Sequence, residues 1–218
     1  MLFQSGAMSR RAALRSFAGI ALGQWLLPRS FAMAAEGGGS PSASSAPPAA
    51  PSAPAAPSAP AAPRRFPVGK PGDFDFLAGE WRIHHRQLKN KATNEWITFE
   101  GEATCWTILK GVGSVEELRI PARGFSGMGL RLLDVDQQLW SDFWVNAKSG
   151  VLTTPGMPGG FTNGVGTFLV DDVEDGRPIV ARGVWDEITP KSCRWHQGVS
   201  YDGGATWEEN WWMDWRRV

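Results

Sequence analysis

Turn-forming residues recur about every ten positions through the second half of the chain, and this spacing constrains the fold more than any other feature. Gly, Pro, Asn and Asp at these positions reverse the chain direction, and the runs between them alternate apolar and polar residues with a period of two. The only helical pattern is a short one at 74–77. The runs predicted as strands are 80–88, 95–109, 114–120, 129–135, 139–146, 164–170, 177–185, 193–201 and 206–215, with 151–155 as a candidate tenth.

Short connections force successive strands to be antiparallel neighbours, so these runs predict a meander. A meander of this many twisted strands hides its two edges most easily by closing on itself. The predicted fold class is therefore all-β: an antiparallel meander closed into a calycin-like β-barrel of about ten strands.

Residues 200–207, SYDGGATW, form the clearest turn signal. Asp202 can bond to its own turn backbone, and Gly203 and Gly204 can adopt positive φ without steric cost. The octapeptide resembles the Asp-box hairpin that repeats in sialidase propellers, where it is structural and far from the sugar. Because it occurs once here and no blade-length repeat accompanies it, we expect one hairpin of a different all-β fold.

The first 35 residues have the pattern of an export signal. They contain four arginines and no acidic residue, with an apolar run at 17–27 that is too short to span a bilayer. SRRAALR at 9–15 resembles the twin-arginine motif, although Ala13 stands where that motif usually has Phe. We expect a periplasmic or secreted protein; a general secretory signal and an arginine-rich transit peptide are the alternatives.

Residues 36–65 contain almost only Gly, Ser, Ala and Pro, with PSAPAA repeated at 51–56 and 57–62. Such a segment has no side chains with which to build a core, and it predicts a disordered spacer that is partly polyproline in character. We expect no membrane span in the mature protein; retention of the uncleaved signal as a membrane tether is the alternative.

The remaining residues, 66–218, are enough for one domain with a sizeable core. Six of the 22 Lys and Arg residues precede residue 66, but only one of the 22 Asp and Glu residues does, so this domain has 16 basic and 21 acidic side chains and a net charge of −5. Nucleic acids and anionic membranes bind to basic faces. We therefore expect neither as a partner.

Several segments of this domain resemble a bacterial calycin-like family that is catalogued as domain of unknown function 1579 and is related to lipocalins and to nitrobindin haem barrels. The resemblance covers 72–218 and implies a barrel, with Trp81 closing one end beneath the lead-in segment, but it implies no particular activity. The matching segments are FDFLAGEWRIHHRQLK at 74–89, GVG at 111–113, GVGTFLVDD at 164–172, GRPI at 176–179, RW at 194–195 and SYDGGATWEENWWMD at 200–214.

Tryptophan is unusually abundant in this domain, since only Trp25 of the twelve tryptophans lies outside it. Strand alternation places many of these rings on inward faces, together with a few polar side chains. Large aromatic groups with a few inward polar groups are typical of ligand pockets, although the rings alone could simply fill the barrel. The predicted ligand-binding residues are Trp81, His85, Trp144, Trp185, Gln197, Glu209 and Trp211.

Cofactor chemistry and catalysis have little support. His84 and His85 are adjacent on one strand and therefore point to opposite faces, so they cannot chelate one metal together. A nitrobindin-type haem site would have to depend on His85, because His196 is predicted to face outward. No GxSxG motif is present, and no Ser or Cys stands in a recognisable relation to a His and a carboxylate. We expect no catalytic residue, no metal site and no cofactor.

Two cysteines, Cys105 and Cys193, fall on predicted inward faces. In an exported protein they could form a disulfide near one barrel end, if their Cα atoms approach within about 7 Å. Buried free thiols are the alternative and the favoured interpretation, because strands two and nine of a meander are not neighbours.

The sequence therefore predicts an exported barrel that binds a small, largely apolar molecule without changing it. The first alternative is a filled barrel that serves as a structural or interaction module, with its functional surface around the outward Trp212. A haem-binding or enzymatic barrel is a third and less supported alternative. An internal void of roughly several hundred Å³ would favour the binding barrel, whereas a packed interior would favour the interaction module.

Overall fold

The computed structural model describes residues 64–218. The predicted export signal at 1–35 and all but the last two residues of the predicted spacer at 36–65 lie outside the described residues. The described part contains ten strands: β1 Gly79–Asn90, β2 Glu95–Ile108, β3 Gly113–Ile120, β4 Phe125–Asp134, β5 Leu139–Asn146, β6 Met157–Thr162, β7 Val165–Glu174, β8 Arg177–Asp186, β9 Ser192–Ser200 and β10 Glu208–Arg217.

These strands form one closed barrel, in which each strand pairs antiparallel with the next and β10 returns to pair with β1. The closing register places Ile83 opposite Trp215 and His85 opposite Met213. The predicted all-β meander is thus confirmed. The helical segments of the described residues are three short 3-10 turns at Asp75–Leu77, Leu109–Gly111 and Pro121–Arg123, and none of them is long and apolar enough to cross a membrane.

Strand β6 lies at Met157–Thr162, not at the candidate position 151–155. In the earlier segment Leu152 forms only an isolated bridge with Val145. The sequence of β6, MPGGFT, has the Pro and Gly content of a loop, but its glycines are needed for packing: a Cβ on Gly159 would lie 2.3 Å from the carbonyl oxygen of Thr167. Close approach of β7 therefore selects glycine in a strand that propensity alone would not predict.

The lead-in segment closes one end of the barrel. Phe74 and Leu77 are buried there, and the ring of Phe74 meets that of Trp140 edge to face at 5.0 Å. Trp81 lies beneath this segment and donates a 2.7 Å hydrogen bond from Nε1 to the carbonyl oxygen of Leu77. Arg217 covers the Trp81 ring, with its Cζ 4.3 Å from the ring centroid. Trp81 therefore closes this end of the barrel beneath the lead-in segment.

The SYDGGATW segment forms the predicted hairpin between β9 and β10. Asp202 accepts hydrogen bonds from Ser200 Oγ at 2.7 Å, from the Thr206 backbone N–H at 2.9 Å and from Thr206 Oγ1 at 2.6 Å. Gly203 and Gly204 have φ of 74° and 102°. These bonds stabilise the ionised carboxylate and hold the pKa of Asp202 well below its usual range. The hairpin is a structural element.

Candidate functional site

The barrel contains an internal cavity of about 50 Å³. One part of its wall is apolar, with Leu118, Met157 and Met213, and the rest combines aromatic rings with charged and amide groups. Five tryptophans contribute to the wall: Trp144, Trp185, Trp195, Trp211 and Trp215.

Three charged side chains form a buried cluster on the cavity wall. Arg131 Nη2 lies 2.6 Å from Glu116 Oε2, and Arg131 Nε lies 3.3 Å from Asp142 Oδ1. The side chains of Arg131 and Glu116 are 5% and 3% exposed, whereas that of Asp142 is 20% exposed. Since one guanidinium faces two carboxylates, the cluster carries a net charge of −1 when all three groups are ionised.

Glycines on the inner face of β4 make room for this cluster. A Cβ on Gly129 would lie 2.9 Å from Arg131 Nη2, and a Cβ on Gly127 would lie 2.3 Å from the indole of Trp144. Strand pairing then sets Arg131 opposite Asp142 on β5 and Gly129 opposite Glu116 on β3. The sequence GMGLR at 127–131 thus places a guanidinium inside the barrel between two carboxylates.

Burial and neighbouring charges act in opposite directions within the cluster. Burial raises the pKa of Asp142 to about 6, with Arg131 opposing the rise and Glu116 adding to it. For Arg131, burial opposes the charge, but Glu116 and Asp142 together raise its pKa above the ordinary value. Arg131 is therefore charged at every physiological pH, and Asp142 changes charge near pH 6.

A pH-dependent stability follows from Asp142. Its folded pKa lies above the unfolded value of 3.8, so the folded state binds its proton more tightly, and the free energy of unfolding should fall as pH rises from about 4 through about 6. Asp142→Asn should remove this part of the pH dependence, as measured by urea unfolding between pH 4 and 7.5. Asp136→Asn, at an exposed position in a turn, is the control and should follow the wild type. Parallel curves for wild type and Asp142→Asn would contradict the assignment.

Four of the seven predicted site residues line the cavity: Trp144, Trp185, Gln197 and Trp211. They come from β5, β8, β9 and β10, so the closed barrel brings together side chains that are distant in sequence. Gln197 is held in place by a 3.0 Å hydrogen bond from its Nε2 to Asn210 Oδ1. Trp81 instead closes the barrel end, and His85 and Glu209 do not contribute to the cavity wall.

His85 is buried behind the cavity wall. Its ring stacks on Phe99 at 4.6 Å between centroids, and its Nδ1 accepts a 3.2 Å hydrogen bond from Trp211 Nε1. Burial, with a smaller effect of Arg123, lowers the pKa of His85 to about 3, so the ring is neutral at physiological pH. His85 therefore orients Trp211 and does not itself line the cavity.

Glu209 lies on the outer face, which corrects the prediction that it shares the inner face with Trp211. Strand β10 contains a bulge: Glu209 pairs with Gly198, whereas Trp211 pairs with Gln197, so Asn210 is an extra residue that reverses the phase. The Glu209 carboxylate pairs with Arg182 and lies 2.9 Å from His196 Nδ1. Alternation alone cannot detect a bulge.

The outer face around Trp212 has its own aromatic and charged arrangement. His196 stacks on Trp212 at 4.5 Å between ring centroids, and the guanidinium groups of Arg86 and Arg194 lie 5.6 and 5.1 Å from the Trp212 ring. Trp212 is half-buried in this arrangement. Its outward position agrees with the strand phase.

The sequence interpretation named none of Glu116, Arg131 and Asp142 as a site residue. The available signal was the pair of glycines at 127 and 129, which share a face with Arg131. Hydrophobicity obscured this signal, because Leu130 and Leu132 flank Arg131 and suggest the opposite face as the inner one.

The described residues do not fit a haem. Haem-sized guests need pockets of roughly 300–1,000 Å³, far above the volume of this cavity. The His85 ring is stacked on Phe99, and its Nδ1 already accepts a hydrogen bond from Trp211. Residues 64–218 contain no cluster of three or more potential metal ligands. Cys105 and Cys193 are buried and free, and burial raises the pKa of the Cys193 thiol to about 12.

Comparison with known proteins adds no family to this description. No protein-family model matches the chain, and no curated protein matches it significantly.

Proposed function

We propose that this domain is a binding barrel that holds a small molecule in the cavity beside the Glu116–Arg131–Asp142 cluster, without changing it chemically. The observation that carries the proposal is the placement of this cluster: three charged groups project into the barrel at the wall of a cavity that is otherwise mainly aromatic and apolar.

The cost of burying charges supports a functional reason for the cluster. Removing ions from water costs several kcal/mol for each ion, and well-packed apolar residues of similar volume are often as stabilising or more so. In a barrel that served only as a structural core, leucine or methionine at these positions would often be equally stable. Polar groups at a cavity wall orient a ligand and select it.

The cavity limits the size of the ligand. A cavity of ~150 Å³ in another protein accepts benzene, and the cavity here is about 50 Å³. The ligand is therefore a molecule with few non-hydrogen atoms, or a small group of a larger molecule. Fatty acids, sterols and haem exceed this size. The volume lies below the several hundred Å³ that would by itself favour a binding barrel.

A filled barrel that acts as an interaction module is the second candidate, and the same small volume favours it. Its contact surface would be the outer patch of Arg86, Arg194, His196 and Trp212, where cations flank an aromatic ring. Arg and Trp are enriched at protein interfaces. This candidate leaves the buried charged cluster without a role, and we therefore rank it second.

Trp211 and Trp212 are neighbours in sequence and lie on opposite faces of β10, so they provide a test that separates the two candidates. Uncharged compounds of up to about six non-hydrogen atoms are screened against the full chain by NMR of the indole N–H signals and by thermal unfolding. A ligand at 100 times its dissociation constant should stabilise the protein by about 2.7 kcal/mol and raise Tm by several degrees.

Trp211→Phe should weaken such binding, whereas Trp212→Phe, the matched outward change, should leave it unaltered. If no compound shifts either signal, the binding barrel is wrong and the interaction module takes its place. If Trp212→Phe is the variant that loses binding, the ligand lies on the outer face.

We also propose that the protein is exported by the twin-arginine route and that the domain belongs to the calycin-like family named above. Replacing Arg10 and Arg11 by Lys should leave the precursor in the cytoplasm, because that route reads a guanidinium pair and not charge alone. Cell fractionation measures the outcome, and unchanged export would contradict the route.

For the family, the support is the ten-stranded closed barrel together with the quoted segments. A family member with an open sheet would contradict this assignment.

A further inference from the structure

Among the buried donors of cavity-lining side chains that have no hydrogen-bond partner within residues 64–218 are Arg131 Nη1, Trp185 Nε1 and Trp215 Nε1. Their side chains lie together, because the Trp185 and Trp215 ring centroids are 5.4 Å apart and Arg131 Cζ is 5.4 Å from the Trp185 centroid. One region of the cavity wall therefore presents N–H groups that nothing in the described protein satisfies.

Unpaired buried donors indicate what the ligand must supply. A buried N–H without an acceptor is costly to the folded protein, and a ligand atom with lone pairs would recover that cost on binding. Indole and guanidinium nitrogens only donate. The complementary group is therefore an acceptor, and a carbonyl oxygen, with its two lone pairs, can serve more than one of these donors.

The charges around the cavity select against ionised ligands. Arg131 contributes to the cavity wall, and its guanidinium already pairs with Glu116 and Asp142. Arg182 also contributes to the wall, but its guanidinium pairs with Glu209 on the outer face. A carboxylate ligand would meet a net negative cluster, and a cation would have no lone pair to offer the unpaired donors.

We infer that the cavity takes a small uncharged molecule, or an uncharged group of a larger one, whose oxygen atom accepts hydrogen bonds from two of the donors on Arg131, Trp185 and Trp215, with a ketone or amide carbonyl as the matching chemistry. This inference rests on the proposed binding function and specifies its ligand class. The apolar remainder of the ligand packs against Trp211, Met157 and Met213.

Four molecules with planar skeletons of similar size test the inference: acetone and isobutene are uncharged, acetate is an anion and guanidinium is a cation. Each is titrated at pH 7.5 into the full chain, labelled with ¹⁵N, and the indole N–H signals of Trp185 and Trp215 are followed, after assignment by Trp→Phe variants. Acetone should shift both signals and bind about tenfold more tightly than each of the other three.

Trp185→Phe removes one donor from the cavity wall and should weaken acetone binding several-fold. Trp195→Phe alters the same wall without removing any of the three unpaired donors, and it should retain acetone binding. Equal weakening by both variants would show that ring packing and not the donor atom holds the ligand, and would overturn the inference.

The other outcomes separate this inference from the proposed function. If isobutene binds as well as acetone, the cavity takes apolar guests: the ligand class is wrong and the binding barrel stands. If acetate or guanidinium binds most tightly, the charge argument is wrong. If none of the four binds, the inference fails, and the screen of larger uncharged compounds with Trp211→Phe and Trp212→Phe decides separately whether the barrel binds any guest.

Discussion

Replacing Arg131 by methionine is expected to destabilise the domain by about 3–5 kcal/mol, because the change leaves two carboxylates inside the barrel without a counter-charge. At roughly 2–4 °C per kcal/mol for a domain of this size, Tm should fall by about 6–20 °C. Urea unfolding at pH 7.5, where Asp142 is ionised, measures the loss.

Two controls accompany the Arg131 variant. Arg119→Met breaks ion pairs with Glu102 and Glu117 on the outer surface, and such exposed pairs contribute about 1 kcal/mol or less. Adding Glu116→Gln and Asp142→Asn to Arg131→Met removes the unpaired charges and should restore part of the lost stability. A cost for Arg131→Met no larger than that for Arg119→Met would show that the cluster is solvated and not buried.

Trp81→Ala is expected to cost about 3–5 kcal/mol, the usual range for removing a large buried aromatic side chain. Trp81 is 1% exposed, contacts Trp215 at 6.0 Å between ring centroids and donates to the Leu77 carbonyl. The change leaves a cavity under the lead-in segment and removes the hydrogen bond that fixes this segment to the barrel. Thermal and urea unfolding measure the effect.

Trp106→Ala is the matched control for Trp81, because the Trp106 side chain is 47% exposed on β2 and surface substitutions usually change stability by about 0.5 kcal/mol or less. Trp81→Phe keeps most of the ring and loses the N–H donor, so its cost should fall between the two. If Trp81→Ala and Trp106→Ala cost the same, Trp81 does not close the barrel end.

Most of the strands and their meander order could be predicted because their causes are local, and closure followed from the need of the two edge strands for partners. Alternation of apolar and polar residues requires only neighbours in sequence, and the SYDGGATW turn is built from bonds within five residues. The missed strand, β6, shows the limit of this reasoning. Its Pro and Gly residues contradict strand propensity, and only the contact of Gly159 with β7 explains them.

The candidate site could be predicted in part. Trp144, Trp185 and Trp211 are large apolar side chains whose strand phase is regular, and they line the cavity as expected. Glu209 was placed on the wrong face because a single bulge residue, Asn210, shifts the phase of the strand. Arg131 was missed because a charged residue inside a barrel opposes the ordinary rule that charges face water.

By itself, the sequence determined nine of the ten strands, the hairpin between β9 and β10, the meander order and the abundance of aromatic side chains directed inward, since these follow from the preferences of residues that are close in the chain. The tertiary structure alone decided the size of the cavity, the pairing of Arg131 with Glu116 and Asp142, and the role of His85 as a support for Trp211. The physical reason is that cavity volume and buried charge pairing depend on how side chains from many strands fill one shared interior, and no short segment carries that information.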